Sequence, residues 1–109
     1  MTEHSDVAVQ HEPESSRYVL VVNNVVRGEA AYTLTGSDIR ATHTLVDPAL
    51  RGRGLGDQLI TAMIADIRER TEFRVVPECS FVVDWFAAHP DERDLLTRHP
   101  TDSSSTERG

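Results

Sequence analysis

The segment Arg51-Gly-Arg-Gly-Leu-Gly56 constrains the fold more than any other part of the chain. Three glycines at alternate positions give the backbone turn conformations closed to other residues and keep Cβ atoms away from any approaching ligand. Before the loop, Ile39 to Val46 alternates as a strand does: Ile39, Ala41, His43 and Leu45 on one face, Arg40, Thr42, Thr44 and Val46 on the other. After it, Leu55, Leu59, Ala62, Met63 and Ile67 recur at helical spacing, with Asp57, Asp66, Arg68, Glu69 and Arg70 on the opposite face. A strand, a glycine loop and an amphipathic helix in that order place the helix N-terminus against the loop. Free N–H groups and the positive end of the helix dipole make that junction an anion site, and a diphosphate is its natural guest. Arg51 and Arg53 add charge-assisted donors. The alternative is a glycine-rich turn that only starts a helix. No Gly-Lys-Ser/Thr follows, so the loop is not a P-loop. Asp57 stands three residues after Gly54, where a dinucleotide fingerprint has its third glycine, so a dinucleotide-binding fragment is disfavoured.

The rest of the chain builds around this unit. Tyr18 to Val22 is β-rich and ends at Asn23-Asn24, a pair that tolerates positive φ; Val25 to Leu34 follows as its hairpin partner. Ile39 to Val46 completes an antiparallel meander. Phe73 to Val76 is a fourth strand, stopped by Pro77, and the intervening helix makes it a parallel neighbour of the third through a right-handed crossover. A second helix is expected from Cys79 or Ser80 to Ala88, and a last helical turn over Asp91 to Leu96. The predicted architecture is α/β (α+β), a mixed sheet in the order β-β-β-α-β-α. Residues 1–16 hold four acids, no base and few large apolar side chains, so they are expected to be a disordered acidic tail. Residues 99–109 read the same way, leaving 17–98 as the folded domain. A core of that size is marginal, and a homodimer would suit it.

Composition narrows the function. All eleven basic residues are arginine, against 18 acids, for a net charge of -7. Lysine chemistry is excluded, including Schiff bases and pyridoxal attachment. An acidic domain lacks the phosphate-neutralising surface of a nucleic-acid binder. No apolar run approaches the ~20 residues of a membrane span, and no apolar segment near the N-terminus suggests a signal peptide. A single cysteine, Cys79, makes neither an internal disulfide nor a cysteine-rich zinc site, and a reducing cytosol is the expected compartment.

Arg51-x-x-Gly54-x-Gly56 fits the R/Q-x-x-G-x-G/A acetyl-CoA diphosphate signature of GNAT-type N-acetyltransferases. The wider pattern includes His43-Thr44, Val46, Pro48, Leu50 to Gly56, Pro77-x-Cys79-x-Phe81-Val82 and His89-Pro90. It resembles the very small, single-domain members of that fold family. The resemblance implies an acetyl-CoA-dependent N-acetyltransferase acting on an amine. It places the diphosphate of acetyl-CoA or coenzyme A on Arg51, Gly52, Arg53, Gly54, Leu55 and Gly56. The pantetheine arm falls along the backbone of Thr44, Leu45 and Val46, and catalytic interest on Cys79 and His43.

Physical chemistry adds to each assignment. A thiol at the start of a helix has its pKa lowered from about 8.5 and becomes an acyl acceptor or a base; otherwise Cys79 is a small buried apolar residue. His43 is either half of a Cys/His couple or a half-buried site-lining histidine. Glu78 is a candidate general base or a solvated loop carboxylate, the latter being preferred. Larger members of the resembled superfamily carry N-terminal helices that help form the acceptor site; here strands follow the acidic segment directly, so the resemblance implies a shallow, open acceptor groove. An amine on a flexible protein tail or a polyamine-like cation suits it. The competing function is a coenzyme A-binding or interaction module with little turnover.

Overall fold

The computed structural model describes residues 6–50 and 52–98. Its five-stranded sheet runs in the order β1-β2-β3-β4-β5. The strands are β1 Val7–Glu12, β2 Arg17–Val22, β3 Val25–Thr35, β4 Asp38–Val46 and β5 Arg74–Pro77. The first four pair antiparallel. β5 joins β4 in parallel, the geometry that the 16-residue crossover helix α1 (Leu55–Arg70) imposes. Helix α2 (Ser80–Ala88) follows β5, and the expected helical turn forms as a 3-10 helix over Pro90–Leu96.

The N-terminal segment corrects the expected order. Val7–Glu12 was assigned to a disordered tail, yet it forms β1, so the order becomes β-β-β-β-α-β-α. Its apolar content is too small to order an isolated strand, but β2 supplies backbone partners along its length. Val7 and Val9 lean on the core. His11 anchors the strand. Its ring stacks on Tyr18 at 4.2 Å and 7°, and its Nε2 lies 2.6 Å from Tyr32 Oη. Tyr18 Oη donates to Asp66 of α1 at 2.6 Å. The outer residues of the N- and C-terminal segments, 1–5 and 99–109, lie outside the described residues.

Asn23 and Asn24 close the β2–β3 hairpin at φ of 51° and 68°. Asparagine tolerates that region because its short side chain bonds the local backbone. Here Asn23 Oδ1 accepts from the Asp6 N–H at 2.9 Å.

Both helices pack on one face of the sheet. Leu59, Ile60, Met63, Ile64 and Ile67 of α1 share a single core with Val82, Trp85 and Phe86 of α2 and with Tyr18, Leu20, Ala30, Ile39, Ala41 and Val75 of the sheet. Among the described residues the other face carries no helix. Ion pairs fasten the periphery. Arg74 bonds Asp38 across β4 and β5 at 2.9 Å, Arg27 bonds Asp47 at 2.6 Å, and Arg68 of α1 holds Asp94 at 2.7 Å and Glu92 at 2.8 Å.

These pairs set the acid behaviour. Hydrogen bonds from Arg74 hold the Asp38 carboxyl below its ordinary pKa, and those from Arg68 do the same for Asp94. Asp47 is lowered by the Ala49 N–H and by Arg27. A depressed carboxylate stabilises the fold fully above the unfolded-state pKa of about 3.9 and loses that contribution as pH falls through the folded value. The midpoint of urea unfolding, followed by circular dichroism at constant ionic strength, should therefore fall steadily below about pH 4. The fall should be shallower in Arg68→Gln.

Candidate active site

The site is built where β4 loses its second partner. β4 pairs with β5 from Asp38 to Ala41. The Ala41 carbonyl then accepts from both the Glu78 N–H at 2.9 Å and the Cys79 N–H at 3.1 Å, which turns the chain away into α2. Beyond Ala41, the edge of β4 that faces away from β3 has no strand partner among the described residues. The two chains diverge as a wedge, and an exposed strand edge of this kind accepts an extended guest by backbone pairing.

A bulge at Thr42 decides which side chains face the wedge. The register shifts from Tyr32↔Ala41 to Ala31↔His43, leaving Thr42 unpaired. A bulge reverses the alternation beyond it. This corrects the expected grouping of Ile39, Ala41, His43 and Leu45 on one face. Ile39 and Ala41 are buried, but Leu45 is 53% exposed. Thr44 and Val46 take the core side instead: Val46 packs on the core and Thr44 meets Cys79.

Cys79 caps the N-terminus of α2, with its carbonyl accepting from Val82 N–H at 3.0 Å and Val83 N–H at 3.1 Å. Its Sγ lies 3.5 Å from Thr44 Oγ1, across the wedge. Partial burial pushes the thiol pKa up, but hydrogen bonds from the Thr44 hydroxyl and from the backbone of Val82, Phe81 and Thr44 outweigh it, so the pKa lies below its ordinary value.

His43 stands apart from it. It projects from the helix-free face of β4, where Nε2 lies 3.6 Å from Glu29 Oε2. Glu29 is itself held by Arg17 at 2.7 Å. Cys79 and His43 therefore sit on opposite sides of one strand, each with its own partner, and are not paired with each other. Glu78 is tied to Arg40, in keeping with a structural carboxylate.

The glycine loop lies at the end of the same strand. Gly52 and Gly54 have φ of 81° and 72°, in the left-handed region where a side chain brings strain. Gly54 caps α1, and its carbonyl accepts from Gln58 N–H at 3.1 Å. The N–H groups of Leu55, Gly56 and Asp57 are left for a ligand by the helix rule. Gly56 is needed for a different reason: a Cβ there would come within 2.5 Å of the Phe81 ring. Val46, Leu50, the glycines and Phe81 line a cleft of about 320 Å³. Arg53 is exposed beside it. Arg51 lies outside the described residues. One feature opposes an anion: Asp57 stands in the first turn of α1 at the mouth of the cleft.

Sequence reasoning missed two side chains here. The sequence points to Thr44 only through its backbone, because a bulge leaves no sequence mark. The pairing register of β3 with β4 places Glu29 beside His43, which no local pattern reveals.

A family model described as GCN5-related N-acetyl-transferase matches residues 17–95. Among solved structures, the ribosomal-protein-S18-alanine N-acetyltransferase from Escherichia coli is similar in fold, with a TM-score of 0.57 and 15% identity over 67% of this chain and 50% of that one. The chain thus spans half the length of that enzyme, and the likeness is one of fold. No curated protein matches the sequence.

The lowered thiol pKa has a direct readout. The rate of Cys79 alkylation by iodoacetamide should rise with pH around a midpoint below that of an unperturbed thiol. Thr44→Val should move that midpoint upward, while circular dichroism stays unchanged.

Proposed function

The chain belongs to the GCN5-related N-acetyltransferase family, and we propose that it transfers the acetyl group of acetyl-CoA to an amine. The observation that carries this reading is the continuity of three parts: a glycine loop at a helix N-terminus, an unpaired strand edge, and a thiol where that edge parts from its neighbour. The described residues fit a diphosphate-bearing carrier. Gly52 and Gly54 hold left-handed backbone, and the cleft they line has room beside the α1 N-terminus. Gly52, Arg53, Gly54, Leu55 and Gly56 would hold the diphosphate, with Arg51 adjoining in sequence. The edge of Thr44, Leu45 and Val46 would pair with the pantetheine arm. When bound, acetyl-CoA supplies an acetyl group activated as a thioester.

The chain's own residues then divide the work. A backbone N–H on the open edge of β4 beyond Ala41 would polarise the acetyl carbonyl, a contribution of the oxyanion type. His43 would take the proton that the amine loses as its nitrogen bonds the carbonyl carbon, the carbon–sulfur bond would break, and the proton would pass on to the departing sulfur as it leaves as thiol. Because His43 and Cys79 occupy opposite sides of β4, this route does not need Cys79. Cys79, with its lowered pKa, offers a second route in which its own sulfur holds the acetyl group before the amine takes it. Approximating thioester and amine supplies much of the rate in either case.

Calorimetric titration with coenzyme A should give saturable heat in the wild type. Gly54→Val, which forces a β-branched side chain into left-handed backbone, should weaken binding at least about tenfold. Intact-mass analysis after incubation with acetyl-CoA distinguishes the routes. One added acetyl, absent in Cys79→Ala, supports the thiol route. Amine acetylation retained in Cys79→Ala and lost in His43→Ala supports direct transfer. Coenzyme A binding without acetylation of protein or any amine supports the binding-module alternative. An absence of heat at millimolar coenzyme A overturns the proposal.

A further inference from the structure

We propose that the shallow cleft on the helix-free face of the sheet receives the acceptor, and that the acceptor is a primary amine carried on one compact apolar group. This assignment rests on the acetyltransferase reading and adds a substrate class to it. The cleft has a volume of about 280 Å³ and is lined by Val26, Gly28, Glu29, Leu45, Asp47 and Pro48, among others. It opens on the part of β3 and β4 that carries Glu29 and Leu45, with Glu29 beside His43, and it shares Val46 with the glycine-loop cleft.

Three properties select the occupant. The first is polarity. Val26 and Leu45 are 52% and 53% exposed, large apolar side chains left open to solvent within one concavity. With Pro48 they form an apolar wall that an aliphatic or aromatic group would cover. The second is charge. Glu29 stands where the lining meets His43. One of its oxygens accepts from Arg17 at 2.7 Å, and the other faces His43 Nε2 at 3.6 Å. That second oxygen is directed toward the proton acceptor and can draw an ammonium to it. The basic lining residue, Arg27, is tied to Asp47. The third is size. A volume near 280 Å³ falls just below the range of roughly 300–1,000 Å³ that takes drug-sized ligands. It suits a group of the size of one side chain. A polyamine would set its further charges against Val26, Leu45 and Pro48, because the lining carboxylate Asp47 is already held by Arg27.

Position relative to the donor is consistent with transfer. His43 directly precedes Thr44, whose hydroxyl meets Cys79 across the wedge. An amine held at Glu29 and His43 is therefore one strand's thickness from the wedge. The edge of β4 is open to both faces there.

Leucinamide is the probe, with spermidine as the polyamine comparison. Titrated into 15N-labelled protein without any acetyl donor, leucinamide should shift the amide resonances of Val26, Glu29 and Leu45 ahead of those of α1 and α2. With acetyl-CoA present, Val26→Asn should raise KM for leucinamide roughly five- to tenfold with little change in kcat. Val26→Leu should restore it. Affinity for coenzyme A, measured by calorimetry, should stay within about twofold in both variants. Resonance shifts confined to other residues, an unchanged KM in Val26→Asn, or better use of spermidine than of leucinamide would each overturn the assignment of the cleft. Those results leave the acetyltransferase reading standing as long as coenzyme A still binds. A wild-type protein that binds no coenzyme A overturns both.

Discussion

Strand β4 is paired on both edges only as far as Ala41, and the candidate site is arranged around that limit. Up to Ala41 the sheet is an ordinary scaffold, closed by β5 and the Arg74–Asp38 pair. At Ala41 one carbonyl accepts two N–H groups, from Glu78 and Cys79, and the neighbouring chain leaves the sheet. Buried backbone groups are nearly always satisfied, so a strand edge left open in the middle of a sheet calls for a guest or for water. The wedge leaves the ladder that β5 abandons open along Thr44 to Val46.

The bulge at Thr42 acts at the same point. It lets the outer half of β4 present Thr44 and Val46 to the core side and His43 and Leu45 to the open face. A strand of regular alternation would have put His43 on the helix side, near Cys79, as a coupled pair. The bulge instead separates a nucleophilic thiol and a histidine–glutamate pair by one strand. Each retains its own environment: a helix N-terminus and a hydroxyl for Cys79, an Arg17-braced carboxylate for His43. Bulges concentrate at such places because they re-aim side chains without altering the sheet's order.

The minimal size of the domain has its own consequence. Both helices cover one face, so the small core depends on few contacts and on ion pairs at its rim, such as Arg68 with Glu92 and Asp94. The N-terminal strand widens the sheet beyond the region matched by the family model, which begins at residue 17. His11 brings it onto Tyr18 and Tyr32, so aromatic stacking secures a strand that contributes only two valines to the core.

The three central strands, the crossover helix, the parallel fourth strand and the second helix were all legible in the sequence. So was the glycine loop, because Gly52 and Gly54 occupy backbone conformations that few other residues tolerate. These features are local: period-two and period-3.6 patterns and turn chemistry act over a few residues. The strand at Val7–Glu12 was not legible, since its order comes from pairing with β2 and from side chains more than six residues away in sequence. Nor was the bulge, which exists only because two strands meet in a shifted register, and with it went the places of His43, Glu29 and Thr44. By itself the sequence determined the three central strands, the crossover unit and the second helix, and the position of the glycine loop, because these rest on local periodicity and turn chemistry. Only the tertiary structure decided which side of β4 each reactive group occupies, because that choice is made by pairing between strands and not by any residue alone.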